Sequence, residues 1–347
     1  MKQFHTGLVV GKFAPLHLGH EHVIRAAIAA CDHVVLLSYS RPEFPGCDPA
    51  RRAAWLAVRF PETTRIVLDH KHEPLPDNTD SDDTHRAFCA TILRRELYRP
   101  IDAIFTSEDY GPGFAADLAS RQSTPVTHVS VNQARDEVAV SGTELRADIH
   151  GLRRFLSPEV YATFIQRIGI LGGESTGKST LAAALASELQ TNYVSEYGRE
   201  LWQARKGRLE FDDLVAIARE QIRREEIALL EPSTKQFLFC DTTPLTTLFY
   251  SLQMFNRAAP ELEDLARRPY HHLILCDDDF PFFQDGTRRD ATFRTLGQEW
   301  YQDCINNVNH TTVQGSLLSR ITQTCIAIGA LGVLAAVENK SGSSLIG

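Results

Sequence analysis

The stretch Gly172-Gly-Glu-Ser-Thr-Gly-Lys-Ser179 follows an apolar run that ends at Leu171 and leads into a run rich in alanine and leucine that begins at Thr180. These flanks predict a strand, a glycine-rich loop and a helix, in that order. Glycines let consecutive backbone N–H groups turn around phosphate oxygens, and the following helix adds the positive end of its dipole. The stretch therefore predicts a P-loop, and its place near the middle of the chain leaves room for a whole domain before it.

The positions of this loop have separate expected roles. Lys178 reaches the β- and γ-phosphates of ATP, and the Ser179 hydroxyl takes a ligand position on Mg²⁺. The other positions that we expect to surround the nucleotide phosphates are Gly172, Gly173, Glu174, Ser175, Thr176, Gly177 and Thr180. The alternative interpretation is a loop that only connects a strand to a helix.

The composition is typical of a soluble protein with two domains. The 347 residues are 43% hydrophobic and 23% charged, and the net charge of -8 argues against general nucleic-acid binding. Cysteines are scattered and no Cys-x-x-Cys pair occurs, so we predict buried thiols in a reducing compartment. No apolar run is long enough to cross a bilayer, and the first predicted strand follows almost directly on Met1. We therefore expect a cytoplasmic protein.

Residues 1–165 predict a parallel sheet with helices on both faces. Continuous apolar strands alternate with helical stretches, which is typical of a doubly wound α/β domain. The predicted strands are residues 7–11, 33–38, 65–68, 102–106 and 126–131, and the predicted helices lie near 21–31, 49–59, 84–97 and 113–120. The segment 73–83, rich in Pro and Asp, predicts a surface loop within reach of the site.

The segment Gly11-Lys-Phe-Ala-Pro-Leu-His-Leu-Gly-His20 joins the first predicted strand to the first helix. A doubly wound sheet binds its ligands at such a position, outside the carboxyl ends of its strands. His17 and His20 fall on one side of the first helical turn, so both can donate to a polyphosphate beside the free N–H groups of the helix. A metal site lacks a third ligand at useful spacing, and two core or surface histidines are the other alternative. Further nucleotide contacts are expected from Gly11, Lys12, Phe13 and Gly19.

A second candidate phosphate site lies at Ser141-Gly-Thr-Glu-Leu-Arg146. Ser141 followed three residues later by Glu144 predicts a capping box at a helix start. The hydroxyls of Ser141 and Thr143, with Arg146 one turn along, can hold phosphate oxygens. The alternative is a well-capped helix with no further role.

The pattern G-x-F-x-P-x-H-x-G-H, followed far downstream by S-G-T-x-x-R, resembles the nucleotidylyltransferase superfamily. The resemblance implies transfer of a nucleotidyl group onto a phosphate, with pyrophosphate as the leaving group. It implies that His17 and His20 stabilise the triphosphate and that Arg146 binds the β- and γ-phosphates. It also implies that the edge with Ser107 and Glu108 faces the acceptor and the adenine. Arg52, at a predicted helix start, is a candidate for the acceptor phosphate, with a solvated helix start as the alternative.

In residues 166–337, three groups of polar residues follow predicted strands. Glu196-Tyr-Gly-Arg-Glu200 follows the strand at 192–195, and Asp241 follows the strand at 237–240, where P-loop proteins commonly keep an acid for magnesium. The segment 277–289 predicts a mobile lid with an arginine for the transferring phosphoryl group. Helix caps are the alternative role for the single acids. Two further predicted strands, a closing helix and a disordered tail are assigned to residues 273–276, 311–314, 317–337 and 338–347.

The series G-G-E-S-T-G-K-S, E-Y-G-R-E, an aspartate strand and D-G-x-R resembles the ribosylnicotinamide kinase domain of the bifunctional NadR family. The order of the two halves matches as well, and the resemblance covers nearly the whole chain. It implies two doubly wound α/β domains, a Rossmann-like nucleotidylyltransferase at residues 1–165 and a P-loop kinase at 166–337. The implied reactions are phosphorylation of nicotinamide riboside to nicotinamide mononucleotide (NMN) and adenylyl transfer to NMN, which gives NAD. Both use ATP and Mg²⁺.

This resemblance suggests roles for the residues after the strands. Glu196 or Asp241 orients or deprotonates the ribose 5′-hydroxyl while the other assists magnesium or the sugar, and Arg288 meets the phosphoryl group. Arg199, Tyr197 and Trp202 are assigned to the substrate. Because Ser195 stands where some members have an aromatic residue that stacks on nicotinamide, either Tyr197 or Trp202 substitutes for it or the stacking is weaker. Thr243 replaces the second acid of a D-T-D sequence common in the family. The number of carboxylates that bind the metal or the substrate hydroxyl is therefore left open.

Two rival interpretations have the same two module types or the same ligands. One is a pantetheine-phosphate adenylyltransferase fused to a dephospho-coenzyme A kinase, which E-Y-G-R-E and D-G-T-R disfavour. The other is a regulatory NAD sensor with weak turnover and a protein partner such as a membrane riboside transporter. Because the chain starts at the first strand, without the helix-turn-helix module of some members, no DNA binding is expected. The sequence leaves the oligomeric state open, a homo-oligomer included.

Overall fold

Each half of the chain forms a five-stranded parallel sheet, with strand orders β3-β2-β1-β4-β5 and β10-β9-β6-β8-β7. The computed structural model describes residues 2–131, 140–284 and 289–332. The chain divides into two units, residues 1–164 and 165–347. The predicted fold class, two doubly wound α/β sheets, is confirmed. Arg288 and the tail at 338–347 lie outside the described residues, as does the last part of the helix predicted at 317–337.

The first unit is built around β1, which pairs with β2 on one side and with β4 on the other. The strand order reverses at β1, so a crevice opens beyond its carboxyl end. The strands are β1 (Phe4–Val10), β2 (Cys31–Ser38), β3 (Thr64–Val67), β4 (Ala103–Thr106) and β5 (Thr127–Ser130). The helices are α1 (Leu18–Ala30), α2 (Pro49–Arg59), α3 (Asp82–Glu96), α4 (Gly111–Gln122), α5 (Gly142–Ala147) and α6 (Pro158–Tyr161).

In the second unit β6 has the central position, between β9 and β8. The strands are β6 (Gln166–Leu171), β7 (Asn192–Val194), β8 (Phe237–Asp241), β9 (His272–Cys276) and β10 (His310–Val313). The helices are α7 (Lys178–Glu188), α8 (Tyr197–Ala204), α9 (Phe211–Leu230), α10 (Pro244–Phe255), α11 (Pro260–Ala266), α12 (Ala291–Ile305) and α13 (Leu317–Ala327). The glycine-rich loop therefore leaves the middle of the sheet.

Each unit has its own core. Leu8, Val35 and Ile104 are buried in one apolar cluster of the first unit. In the second unit Ile170 and Leu185 belong to a cluster that joins the sheet to α7. Burial of apolar side chains stabilises folded proteins by about 25 cal/mol per Å², and these clusters fix the strands from which the polar loops extend.

Three predictions made from the sequence are wrong in detail. The first helix begins at Leu18 instead of Glu21, because His17 caps it, and Cys31 already belongs to β2. The closing helix does not run on unbroken from residue 317, because α13 ends at Ala327 and Gly329 takes a left-handed φ of +70°. Cys304 is exposed, whereas the other cysteines are buried. Within the described ranges, no helix is both long and apolar enough to cross a membrane.

Candidate active sites

A cavity of about 540 Å³ lies in the first unit at the end of β1. Its wall includes the segment after β1, the segment after β4 and the start of α5. The sequence-predicted residues that line it are Gly11, Lys12, Phe13, His17, Gly19, His20, Ser107, Glu108, Ser141, Thr143 and Arg146. The fold thus brings together two motifs that are more than a hundred residues apart in the chain.

The two histidines at the start of α1 are stacked on each other. Nδ1 of His17 accepts a hydrogen bond from the backbone N–H of His20 at 3.4 Å, and the ring centroids are 3.7 Å apart. Burial lowers the pKa of His20 well below its usual value, and the neighbouring His17 adds to the effect. His20 is therefore neutral at physiological pH, and a neutral imidazole still donates one N–H.

The backbone before these histidines is tightly packed. A Cβ at Gly11 would lie 2.8 Å from the ring of Phe13, which is too close for any side chain. Phe13 itself is buried and meets His20 edge to face, with 5.1 Å between ring centroids. Glycine is therefore needed at position 11, because a side chain there would displace the Phe13 ring that packs against His20.

Arg146 joins α5 to the loop after β1. Its guanidinium donates to the backbone oxygen of Ala14 at 2.6 Å and to the Thr143 hydroxyl at 2.9 Å. The predicted capping box of Ser141 and Glu144 is present at the start of α5. Burial lowers the pKa of Lys12, and the positive charge of Arg146 lowers it further. Two cations therefore face one cavity, an arrangement that favours a polyanionic ligand.

Arg52 does not reach this cavity, and its prediction as a contact of the acceptor phosphate is wrong. Its side chain is fully buried and donates to the Glu43 carboxylate at 2.9 Å. It also donates to the backbone oxygen of Lys12 at 3.3 Å. A phosphate cannot contact a guanidinium without exposed surface, so Arg52 acts on the site only through its neighbours.

The opposite wall comes from the predicted surface loop and from α3. Asn78, Asp80 and Asp82 line the cavity, so the loop does reach it. Tyr39 and His85 line it as well, with 2.9 Å between the Tyr39 hydroxyl and Nδ1 of His85. Our sequence analysis missed these two residues, because neither belongs to a recognisable motif.

A second cavity, of about 360 Å³, lies in the other unit between the P-loop and helices α8, α9, α10 and α12. The predicted residues that line it are Gly172, Gly173, Glu174, Ser175, Lys178, Glu196, Arg199 and Trp202. Gly177 caps α7 with a φ of +82°, a conformation that favours glycine. Thr180, in the first turn of α7, is exposed and does not border this cavity.

Lys178 is folded back onto its own loop. Its ammonium group donates to the backbone oxygens of Gly172 at 3.0 Å and Gly173 at 2.8 Å. The Thr176 hydroxyl donates to the same Gly173 oxygen at 2.9 Å. The loop therefore keeps its cation beside the position where backbone N–H groups of a P-loop hold phosphates.

Asp241 and Ser179 form an oxygen-rich pair at the end of β8. The carboxylate accepts a hydrogen bond from the Ser179 hydroxyl, while its Oδ1 is buried and has no hydrogen-bond partner in the described ranges. Hard oxygen donors of this kind fit Mg²⁺, which takes its remaining ligands from phosphates and water. The described residues contain no cluster of three or more His, Cys, Asp or Glu side chains that could hold a metal ion.

Two acids near Lys178 have raised pKa values. Burial raises the pKa of Glu196, and the charge of Lys178 only partly offsets this. Burial also raises the pKa of Asp241, against the hydrogen bond from Ser179 and the charge of Lys178. A carboxylate whose pKa lies closer to neutrality is a better general base, so both residues suit the role expected of one of them.

Tyr197 is placed away from this cavity, and its prediction as a stacking residue is wrong. It packs against the apolar cluster of Leu214 and Ile217, and the Arg224 guanidinium lies 4.5 Å from its ring centre. Trp202, one turn further on in α8, does line the cavity. Four further aromatic side chains form the remaining walls: Phe249, Tyr250, Phe293 and Tyr301.

The described part of the predicted lid lies against the P-loop. The N–H of Phe283 donates to the Ser175 hydroxyl at 3.0 Å, and the N–H of Arg289 donates to the Glu174 carboxylate at 2.6 Å. Arg320 in α13 donates to the backbone oxygen of Thr176 at 2.9 Å. The movement of this segment stays a prediction.

Comparisons with known proteins agree with this geometry. Residues 167–316 match a family model described as an AAA domain. Over 309 residues the chain is 27% identical to the trifunctional NAD biosynthesis/regulator protein NadR of Salmonella typhimurium, covering 83% of this chain and 72% of that protein.

Two solved structures are similar along most of the chain. One is a NadR protein in complex with NAD and AMP-PNP, with a TM-score of 0.65, and the other is a NadR protein in complex with NR, with a TM-score of 0.67. Each is 17% identical to this chain, and each match covers 94% of this chain and 96% of the other. At this identity the likeness supports the fold.

Proposed function

Since the chain belongs to the NadR family, we propose that it makes NAD in two steps. The second unit phosphorylates nicotinamide riboside to NMN, and the first unit transfers an adenylyl group from ATP to NMN. The observation that carries the proposal is the presence of two separate cavities, one with Lys178 and a P-loop and the other with His20 and Arg146. The choice of substrates follows the NadR relatives and the NadR structures in complex with NAD or NR.

In the kinase step the 5′-hydroxyl oxygen of the riboside attacks the γ-phosphorus of ATP. The bond from that phosphorus to the β,γ-bridging oxygen breaks, and ADP leaves. The proton of the hydroxyl passes to Glu196 or Asp241, and Lys178 neutralises charge on the transferring group. Ser179 and Asp241 would hold Mg²⁺, which would supply further positive charge next to the phosphates.

In the adenylyl-transfer step a phosphate oxygen of NMN attacks the α-phosphorus of ATP. The bond to the α,β-bridging oxygen breaks, and pyrophosphate leaves with the negative charge. His20, Arg146 and Lys12 offer one neutral donor and two cations to that leaving group. No covalent enzyme intermediate is needed, so positioning and electrostatic stabilisation account for catalysis.

Gln221 is suited to recognise the carboxamide of the riboside. It is 2% exposed and lines the cavity beside Trp202 and Glu196. Its side-chain oxygen accepts from the backbone N–H of Tyr197 at 3.0 Å, which leaves the amide nitrogen as a donor, and this nitrogen has no partner in the described part of the chain. A buried donor without a partner costs about 1–3 kcal/mol, and the carbonyl oxygen of the substrate would remove that cost.

Gln221→Glu keeps the oxygen that binds the Tyr197 N–H and removes the donor. We expect its kcat/KM for nicotinamide riboside to fall about ten- to hundredfold, because a hydrogen bond becomes a repulsion. Pyridinium riboside, which lacks the carboxamide, should lose less than about threefold. Equal losses with both substrates would show that Gln221 only supports α8.

The two buried acids predict a pH dependence of the kinase. Because burial raises the pKa of Glu196 above the usual 4.5 and that of Asp241 above the usual 3.8, the acid that serves as base should become protonated, and the rate should fall, as the pH decreases through that raised pKa. We expect Glu196→Gln or Asp241→Asn to lose about 10²- to 10⁴-fold and to abolish this acidic limb. A kinase rate near that of the wild type in both variants would contradict the assignment.

The same pKa shifts predict an effect on stability with a definite sign. A carboxylate whose pKa is raised by folding stabilises the protein only while protonated, and this contribution is lost as pH rises through the folded-state pKa. Asp241→Asn should therefore raise the melting temperature at pH 8 more than at pH 4.5. A variant less stable than the wild type at pH 8 would argue that the ionised carboxylate has a stabilising partner.

A product assay tests the proposed function directly. The protein is incubated with nicotinamide riboside and Mg-ATP, and we expect first NMN and then NAD and pyrophosphate. A parallel panel with phosphopantetheine and dephospho-coenzyme A covers the rival fusion enzyme. Turnover of those substrates alone, or tight binding of NAD without turnover, would replace the proposal.

A further inference from the structure

Phe44 lies beneath both cations of the first cavity without lining the cavity itself. The Arg146 guanidinium carbon is 4.0 Å from the centre of its ring, and the Lys12 ammonium nitrogen is 6.0 Å from it. Phe44 is half-buried in the loop between β2 and α2. Both distances are within the range of cation–π attraction.

The loop that carries Phe44 is fixed to the same backbone as Lys12. Arg52, which is fully buried, pairs with the Glu43 carboxylate and also donates to the backbone oxygen of Lys12. The Ser38 hydroxyl donates to that oxygen as well, at 3.1 Å. The Arg52 guanidinium therefore connects Glu43, the residue before Phe44, to the backbone of Lys12.

We infer that Phe44 is a positioning residue for the pyrophosphate leaving group. Burial lowers the pKa of Lys12, and repulsion by the Arg146 charge lowers it further. A hydrated cation would turn towards water when no nucleotide is present. The negative face of an aromatic ring attracts both groups and keeps them beside His20. The inference depends on the proposed adenylyl transfer and adds a residue that touches neither substrate.

The reverse reaction isolates this effect, because it consumes pyrophosphate and NAD and produces ATP and NMN. Phe44→Leu keeps an apolar side chain without a π face, whereas Phe44→Tyr keeps the ring. We expect the KM for pyrophosphate to rise about three- to thirtyfold in the leucine variant and less than about twofold in the tyrosine variant. The KM for NAD should change little in either.

Phe4→Leu is the matched control, since Phe4 is also half-buried but packs edge to face on Phe105. It should leave both KM values unchanged.

Equal effects of leucine and tyrosine at position 44, or a parallel rise of both KM values, would overturn the inference. If the leucine variant unfolds, Phe44→Met replaces it in the test. We then expect a raised KM for pyrophosphate in Phe44→Met and full activity in Phe44→Tyr. A wild-type protein that makes no ATP from NAD and pyrophosphate would instead refute the proposed function.

Discussion

Lys178→Ala is expected to lower phosphorylation of nicotinamide riboside about a thousandfold and to leave adenylyl transfer to NMN unchanged. The ammonium group contacts the backbone oxygens of Gly172 and Gly173, within the loop that should receive the phosphates. Loss of a single donor from a charge-stabilising site typically costs about 10²- to 10³-fold, and here a full positive charge is lost as well. The measurement is the rate of ADP release with riboside, and of pyrophosphate release with NMN.

Lys235→Ala is the matched control for this variant. The Lys235 ammonium group donates to the Gln190 side chain and does not line the cavity of the second unit. It should keep both activities. Loss of both activities in Lys178→Ala would indicate that the two sites are not independent, and retention of the kinase would remove the P-loop from the mechanism.

Motifs were predictable from the sequence where the chemistry depends on neighbouring residues. The P-loop, the histidine pair and the capping box of Ser141 and Glu144 each lie within ten consecutive residues. Each motif can therefore be recognised from the spacing of its glycine, histidine or serine residues alone. Their placement at the ends of central strands follows from the doubly wound topology. The sequence therefore predicted the two sheets and the motif residues that line one end of each cavity.

Side-chain direction was not predictable in the same way. Arg52 and Tyr197 lie next to predicted site residues, but each turns to a partner outside the cavities' predicted ligand contacts. Arg52 pairs with the half-buried Glu43, and Tyr197 packs against the buried cluster with Leu214. Burial depends on which elements pack together in three dimensions, and one helical position changes the direction of a side chain by about 100°. Motif membership therefore could not show which of these residues face a ligand.

The walls that contact the non-phosphate parts of a substrate were the least predictable. Tyr250 and Gln221 come from α10 and α9, which carry no motif, and their sequence patterns are those of ordinary amphipathic helices. In the structure Tyr250 lines the cavity, and its hydroxyl donates to the P-loop residue Glu174 at 2.9 Å. Phosphate binding relies on backbone geometry that leaves a sequence pattern, whereas recognition of a base relies on packing that does not.

His20→Ala is expected to lower adenylyl transfer about 10²- to 10³-fold through kcat, with little change in the KM for ATP and no change in kinase activity. The reason is that His20 would donate its strongest hydrogen bond when charge develops on the leaving pyrophosphate. His72→Ala is the control, because His72 is exposed and outside the cavity. Unchanged kcat in His20→Ala would reject the role.

The pKa of His20 makes this prediction sharper. Because burial and His17 hold that pKa well below the usual 6.5, the imidazole is neutral from pH 6.5 to 8, and its titration should not change the rate there. A neutral amide donor should then restore part of the activity, so His20→Gln is expected to exceed His20→Ala about tenfold. A rate that falls as pH rises through 6.5 in the wild type, but not in His20→Gln, would mean that the site uses an imidazolium. In that case the bound triphosphate, rather than the protein, sets the protonation state of His20.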